Sequence, residues 1–121
     1  MDQQKQRGIV SAVEALNRHI RSKEISDFRI DKLEGETLTL VGSFDLSYYH
    51  DLALVITGIS SVNLSCCFWV DLSEPQPFSA AFPSEDTAVL SFTDCGARRR
   101  GEIAFKGNIS LQIEHVSYFK R

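Results

Sequence analysis

From Val62 to Leu72 every second residue is apolar. Val62, Leu64, Cys66, Phe68, Val70 and Leu72 share one phase, and Ser61, Asn63, Ser65, Cys67, Trp69 and Asp71 share the other. Successive side chains of an extended chain point to opposite faces, so this period of two predicts a strand with one face buried. The segment reads either as one long strand or as two shorter ones bent near Cys66-Cys67, where the residues are small. In the same phase, Cys66 is expected to be a small core residue. Cys66 and Cys67, as strand neighbours, are expected to face opposite sides.

The same period recurs on both sides of this segment. Phe28 and Ile30 alternate with Arg29 and Asp31, and Glu34-Gly35-Glu36 makes a turn. Leu38, Leu40 and Phe44 follow, with Gly42 in phase as a close-approach or bend point. Leu52, Leu54 and Ile56 mark a strand from Tyr49, ahead of a bulge or turn at Gly58. The longest break is Ser73 to Asp86, where Pro75, Pro77 and Pro83 remove ladder donors. Strands resume at Thr87, and the loop Asp94–Gly101 leads to Ile103, Phe105, Ile109, Leu111 and Ile113. Val116 and Tyr118 fall in the opposite phase, which predicts a bulge or kink near His115.

Only the start of the chain has a helical period. Ile9, Val13, Leu16 and Ile20 form one stripe of a helix over about residues 8–22. Ser11, Glu14, Asn17, Arg18 and Arg21 are assigned to its wet face. The expected fold is therefore a single α+β domain, mostly β, spanning residues 1–121. In it an N-terminal amphipathic helix packs on a curved antiparallel sheet of six to eight strands, over about residues 27–119. A β-sandwich or partly open barrel is the alternative.

Charge is uneven along the chain. Residues 26–96 carry eleven acidic residues against Arg29 and Lys32, a net −9, between basic ends of +2 and +4. No apolar run is long enough to cross a bilayer, and the polar start lacks a secretory signal, so a cytoplasmic protein is expected. Three cysteines, an odd number, agree with a reducing compartment.

Catalytic signatures are missing. His19, His50 and His115 are scattered with no pre-assembled ligand pair, so neither a metal nor a cofactor is expected. No Gly-x-Ser-x-Gly or phosphate-binding glycine loop occurs. Asp45, Asp51 and Asp71 read as solvated groups of a polar strand face. The run Arg98-Arg99-Arg100, closed by Gly96 and Gly101, offers an alternative phosphate-binding loop. The overall acidic charge argues against nucleic acid.

What the residues favour is a non-enzymatic protein-binding module. Its expected interface is Asp45, Tyr48, Tyr49, Asp51, Trp69 and Asp71, carboxylates interleaved with the aromatic types that anchor interfaces. Phe78 and Phe82 covering Trp69 is the competing structural reading. The alternative function is a small-ligand-binding protein or small hydrolase, with His50, Asp51 and His115 lining a pocket inside the curved sheet.

The run Leu33-Glu34-Gly35-Glu36-Thr37-Leu38-Thr39-Leu40 precedes Tyr48-Tyr49-His50-Asp51-Leu52-Ala53-Leu54 and Gly58-Ile59. With the preceding helix, this order resembles small bacterial proteins of unknown function, some of them immunity proteins of polymorphic toxin systems. The likeness covers about residues 27–64. It implies a protein that binds and blocks a cognate toxin, and it implies no particular site residue. A toxin that cuts nucleic acid needs a basic cleft, which an acidic segment complements.

Overall fold

The computed structural model describes residues 1–119, leaving Lys120 and Arg121 of the basic C-terminal end outside it. Helix α1 runs Gln3–Lys23 and starts five residues earlier than the apolar stripe predicts. The cause is Asp2, whose carboxylate accepts the Lys5 backbone N–H at 2.8 Å and caps the first turn. Arg21 and Lys23 occupy the last turn, where cations suit the negative end of the helix dipole. Ile9, Val13, Leu16 and Ile20 are buried as the stripe requires. Asn17, assigned to the wet face, is buried with them. Its side-chain N–H donates to the Phe78 carbonyl at 2.9 Å, and its carbonyl accepts the Phe78 N–H at 3.0 Å. The helix thereby satisfies the backbone of a strand edge.

Nine strands follow among the described residues: β1 Asp27–Glu34, β2 Thr37–Ser43, β3 Tyr49–Ile56, β4 Ile59–Asn63, β5 Cys67–Trp69, β6 Phe78–Ala81, β7 Ala88–Asp94, β8 Arg99–Phe105 and β9 Ile109–Ser117. They form a five-stranded sheet ordered β5-β1-β2-β3-β9 and a four-stranded sheet ordered β4-β8-β7-β6. Every pairing is antiparallel. The architecture is α+β, mostly β, with its strands divided between two sheets and no closed barrel. The Val62–Leu72 alternation spans two strands that lie in different sheets. β4 belongs to the second sheet and β5 to the first, and the chain crosses between them at residues 64–66.

A folded ribbon joins the sheets. β3 pairs with β9 in the first sheet, and their continuations β4 and β8 pair in the second. Hydrogen bonds carry the ladder round the corner: Thr57 N–H to Asn108 O at 2.9 Å, Lys106 N–H to Gly58 O at 2.8 Å and Gly107 N–H to Thr57 O at 3.1 Å. Gly58 adopts φ +69, and a Cβ there would sit 2.5 Å from the Gly107 nitrogen. A Cβ on Gly107 would meet the Thr57 carbonyl oxygen at 2.3 Å. Two backbones this close leave no room for side chains.

Between the sheets lies an aromatic core. Phe28 of β1 stacks on Phe68 of β5 with ring centroids 5.4 Å apart, and Phe68 stacks on Phe92 of β7 at 4.2 Å. Phe78 of β6 closes the group at 5.3 Å from Phe28 and 5.1 Å from Phe92. Such pairs add about 0.5–1.5 kcal/mol each beyond the area they bury. Gly42 lies opposite Phe28 and Gly101 opposite Phe92, so each ring covers a glycine on the neighbouring strand. Gly42 is the close-approach point its sequence position indicates. α1 lays its stripe against the same core. No helix among the described residues is long and apolar enough to cross a membrane.

Candidate binding face of the first sheet

α1 and the second sheet pack on one side of the first sheet, and among the described residues no helix or strand packs on the other. Alternation and register place Asp27 and Arg29 of β1 beside Ser43 and Val41 of β2, and Val41 beside Ala53 of β3. Two register shifts break this regularity, one between Ile30 and Lys32 and one between His50 and Leu52. The second lies opposite Glu114 and His115, where the phase change of Val116 and Tyr118 predicts it. Bulges re-aim side chains, and these flank the face on its two sides.

A groove of about 460 Å³ occupies the middle of the face. Its floor is Thr39, Val41, Ala53 and Val55, and its rim carries Asp31, Lys32, Glu34 and Glu114. Val41 is only 1% exposed although it does not belong to the core between the sheets. His50, also buried, lines the same groove. Its Nδ1 lies 2.9 Å from the Tyr118 hydroxyl, and its Nε2 lies 3.7 Å from Glu114. Tyr118 sits under the Arg29 guanidinium, 4.9 Å from ring centroid to Cζ. Arg29 in turn lies 3.8 Å from Asp31. A chain of Asp31, Arg29, Tyr118, His50 and Glu114 thus crosses the sheet. Both His50 nitrogens face protein partners.

A second groove of about 440 Å³ shares no lining residue with the first; Arg29, which lines it, reaches Asp31 on the rim of the first. Asp27, Arg29, Cys67 and Trp69 come from β1 and β5, and Asp45 and Leu46 from the β2–β3 turn. Trp69 is 48% exposed. Phe78 is fully buried in the phenylalanine cluster, and Phe82 lines a hollow beside α1, so neither takes the expected place over Trp69. Asp45 accepts the Ser47 N–H at 3.0 Å, which fixes the turn. Together the two grooves carry five carboxylates, Asp27, Asp31, Glu34, Asp45 and Glu114, against Arg29 and Lys32.

The remaining candidate residues distribute as follows. Tyr48 is exposed and packs on Phe119 at 5.5 Å. Asp51 and His115 pair through Oδ1 and Nδ1 at 2.7 Å, with the Tyr49 ring 5.1 Å from the imidazole. These two line neither groove, so His50 is separated from its expected companions. The space between helix and sheets that was expected to hold their pocket is filled by the aromatic core, and the groove lies outside. Asp71 lines a different hollow with Val70, Glu74 and Cys95. The Ser73 hydroxyl and N–H hold its carboxyl below the usual range. Cys66 is exposed, not a core residue, because it precedes β5 and the alternation does not run through it.

The arginine run does not assemble a phosphate clamp. Arg98 takes a left-handed turn conformation, φ 55, while Arg99 and Arg100 already belong to β8 and alternate across it. Arg99 reaches the Ser65 hydroxyl at 3.5 Å. Arg100 donates to the Ser91 hydroxyl at 2.7 Å and pairs with Glu102 at 3.0 Å. Among the described residues no three His, Cys, Asp or Glu side chains are grouped to hold a metal ion.

Arg29 and Glu114 carry no sequence signal as site residues, whereas Tyr118 is marked by its phase. The one available signal was the phase change at Val116 and Tyr118, which re-aims the end of β9. Compared with known proteins, the chain matches no family model, no curated protein and no solved structure.

Proposed function

We propose that this chain is a non-enzymatic protein-binding module whose partner presents basic side chains to the outer face of the first sheet. The observation that carries this reading is the pair of grooves, linked by the Arg29–Asp31 ion pair and lined by five carboxylates against two cations, with Trp69 half-exposed at the second. Acidic rims steer a basic partner, and an exposed indole supplies the apolar anchor that long charged side chains lack. An immunity-type inhibitor of a nucleic-acid-cutting toxin fits this surface, since such a toxin exposes a basic cleft. The three unbridged thiols fit work in the reducing cytoplasm.

Affinity capture from the source organism's lysate, at low and moderate salt, tests the reading. The expected result is one stoichiometric basic protein, weakened by salt and lost with Trp69→Ala. Capture unaffected by Trp69→Ala and by salt contradicts it. A second reading, small-ligand binding or hydrolysis, is favoured by the apolar floor of the larger groove beside buried His50. A thermal-shift screen of small molecules, with His50→Ala as the control, separates the two.

A further inference from the structure

A strand at the edge of a sheet leaves backbone donors and acceptors unpaired, and folds shorten, break or cover such edges. The two sheets end in β5, β9, β4 and β6. β6 is four residues long, and Asn17 of α1 takes both backbone groups of Phe78. β5 has three residues, and its Trp69 carbonyl accepts the Cys95 N–H at 3.0 Å. β4 has five, interrupted by a register shift after Ile59, whose N–H donates to the Glu36 carbonyl at 2.9 Å. β9 differs from all three. It has nine residues without proline or lysine, and among the described residues no strand lies on its side away from β3.

The start of β9 fixes which way its backbone faces. The Asn108 carbonyl accepts the Thr57 N–H, and the Asn108 N–H donates to the Thr57 hydroxyl, so Asn108 points toward the β3 side. Backbone groups alternate along a strand, so those of Ile109, Leu111 and Ile113 point to the open side. Regular pairing with β3 covers this same stretch and ends at the irregularity of Glu114 and His115. Ile109, Leu111 and Ile113 lie opposite the buried Ile56, Leu54 and Leu52, while Ser110 and Gln112 fall on the other face. The apolar row is progressively uncovered. Ile109 is buried, Leu111 half-buried and Ile113 63% exposed.

We propose that a second copy of this chain pairs with β9, antiparallel about a two-fold axis at Leu111, so that the two five-stranded sheets join edge to edge. The segment is its own complement. About that axis Leu111 meets Leu111, Ile109 meets Ile113 and Ser110 meets Gln112 of the second copy. Apolar side chains then face one another on one side and a hydroxyl faces an amide on the other, with no like charges opposed. The residues placed opposite one another with outward N–H and C=O groups are the same three on both strands, which is what a hydrogen-bonded antiparallel ladder requires. The exposed Ile113 of each copy is covered by Ile109 of the other. Each copy uses the same edge, so the assembly closes at two. The dimer rests on the sheet edge and stands independently of the binding face proposed above.

Sedimentation equilibrium of the full chain from about 1 μM to about 1 mM, the range in which small interfaces associate, tests this. The expected result is a concentration-dependent rise from one copy to two. Ile113→Pro removes an N–H on the open side and leaves the ladder to β3 in place, and Ile113→Lys sets a charge into the apolar row. Both variants are expected to remain single copies throughout, with far-ultraviolet circular dichroism confirming that they fold. Amide hydrogen exchange gives a second reading on the parent chain. Protection of Ile109, Leu111 and Ile113 should rise with concentration, while Ser110 and Gln112 stay protected at every concentration. A parent chain that remains a single copy throughout, or a dimer that survives both substitutions, overturns the proposal. So does a dimer that forms without added protection at those three amides.

Discussion

Asn17 holds helix and sheet together through two hydrogen bonds to one residue, Phe78. Asn17→Ala leaves both backbone groups of Phe78 buried without partners and is expected to cost about 2–4 kcal/mol, measured by urea unfolding. A loss below about 0.5 kcal/mol, within the range of ordinary surface changes, contradicts that role. Its burial was hidden in the sequence because polarity in a helical pattern reads as exposure. The group that makes burial tolerable is the backbone of a strand 61 residues away. Carboxylates act at the same scale. Ser73 holds Asp71 below its ordinary 3.8, and Thr87, Ser84 and Lys106 do the same for Asp86. Their stabilisation is fully present above that ordinary value and is lost as pH falls through the lowered folded values. Urea midpoints are expected to drop as pH falls below about 4, less steeply in Asp71→Asn and Asp86→Asn than in the parent. Equal slopes contradict the assignment.

Two elements meet at Gly58 and Gly107, where the β3–β4 and β8–β9 ribbon turns from one sheet into the other. Gly107→Ala sets a methyl against the Thr57 carbonyl, a backbone atom held in the ladder, and is expected to destabilise by about 1–3 kcal/mol. Gly8→Ala is the contrast, with nothing within 4 Å of the added carbon inside a helix. It is expected to stabilise by about 0.5–1 kcal/mol. Thermal unfolding of the two variants should move in opposite directions, and movement in the same direction contradicts the account. Strand existence was legible in the alternation from Phe28 to Ile113, and so was the irregularity near His115. Sheet membership was not. A period of two shows which residues share a face, but nothing local distinguishes β4 from β5: the corner at Gly58 carries the chain into the second sheet and the crossing at residues 64–66 returns it to the first.

Over the whole molecule, four of the central segment's eleven carboxylates, Asp27, Asp31, Glu34 and Asp45, line the two grooves together with both its cations, Arg29 and Lys32. Trp69 and Asp45 were legible as surface residues from their phase and turn position, and they share a groove. Asp71 shares their composition but not their location, because the chain beyond β5 turns away into its own hollow. The Arg29, Tyr118 and His50 arrangement unites β1, β3 and the segment after β9, a juxtaposition set by the β1-β2-β3-β9 order. The most direct test is the affinity of the captured partner for Asp31→Lys/Glu114→Lys, at about 0.15 M salt where long-range charge effects are screened. Glu14→Lys/Glu85→Lys makes the same charge change on exposed positions outside both grooves and serves as the comparison. The account predicts at least about tenfold weaker binding, some 1.4 kcal/mol, for the groove variant alone. Equal affinities of the two variants would show that the partner does not bind this face.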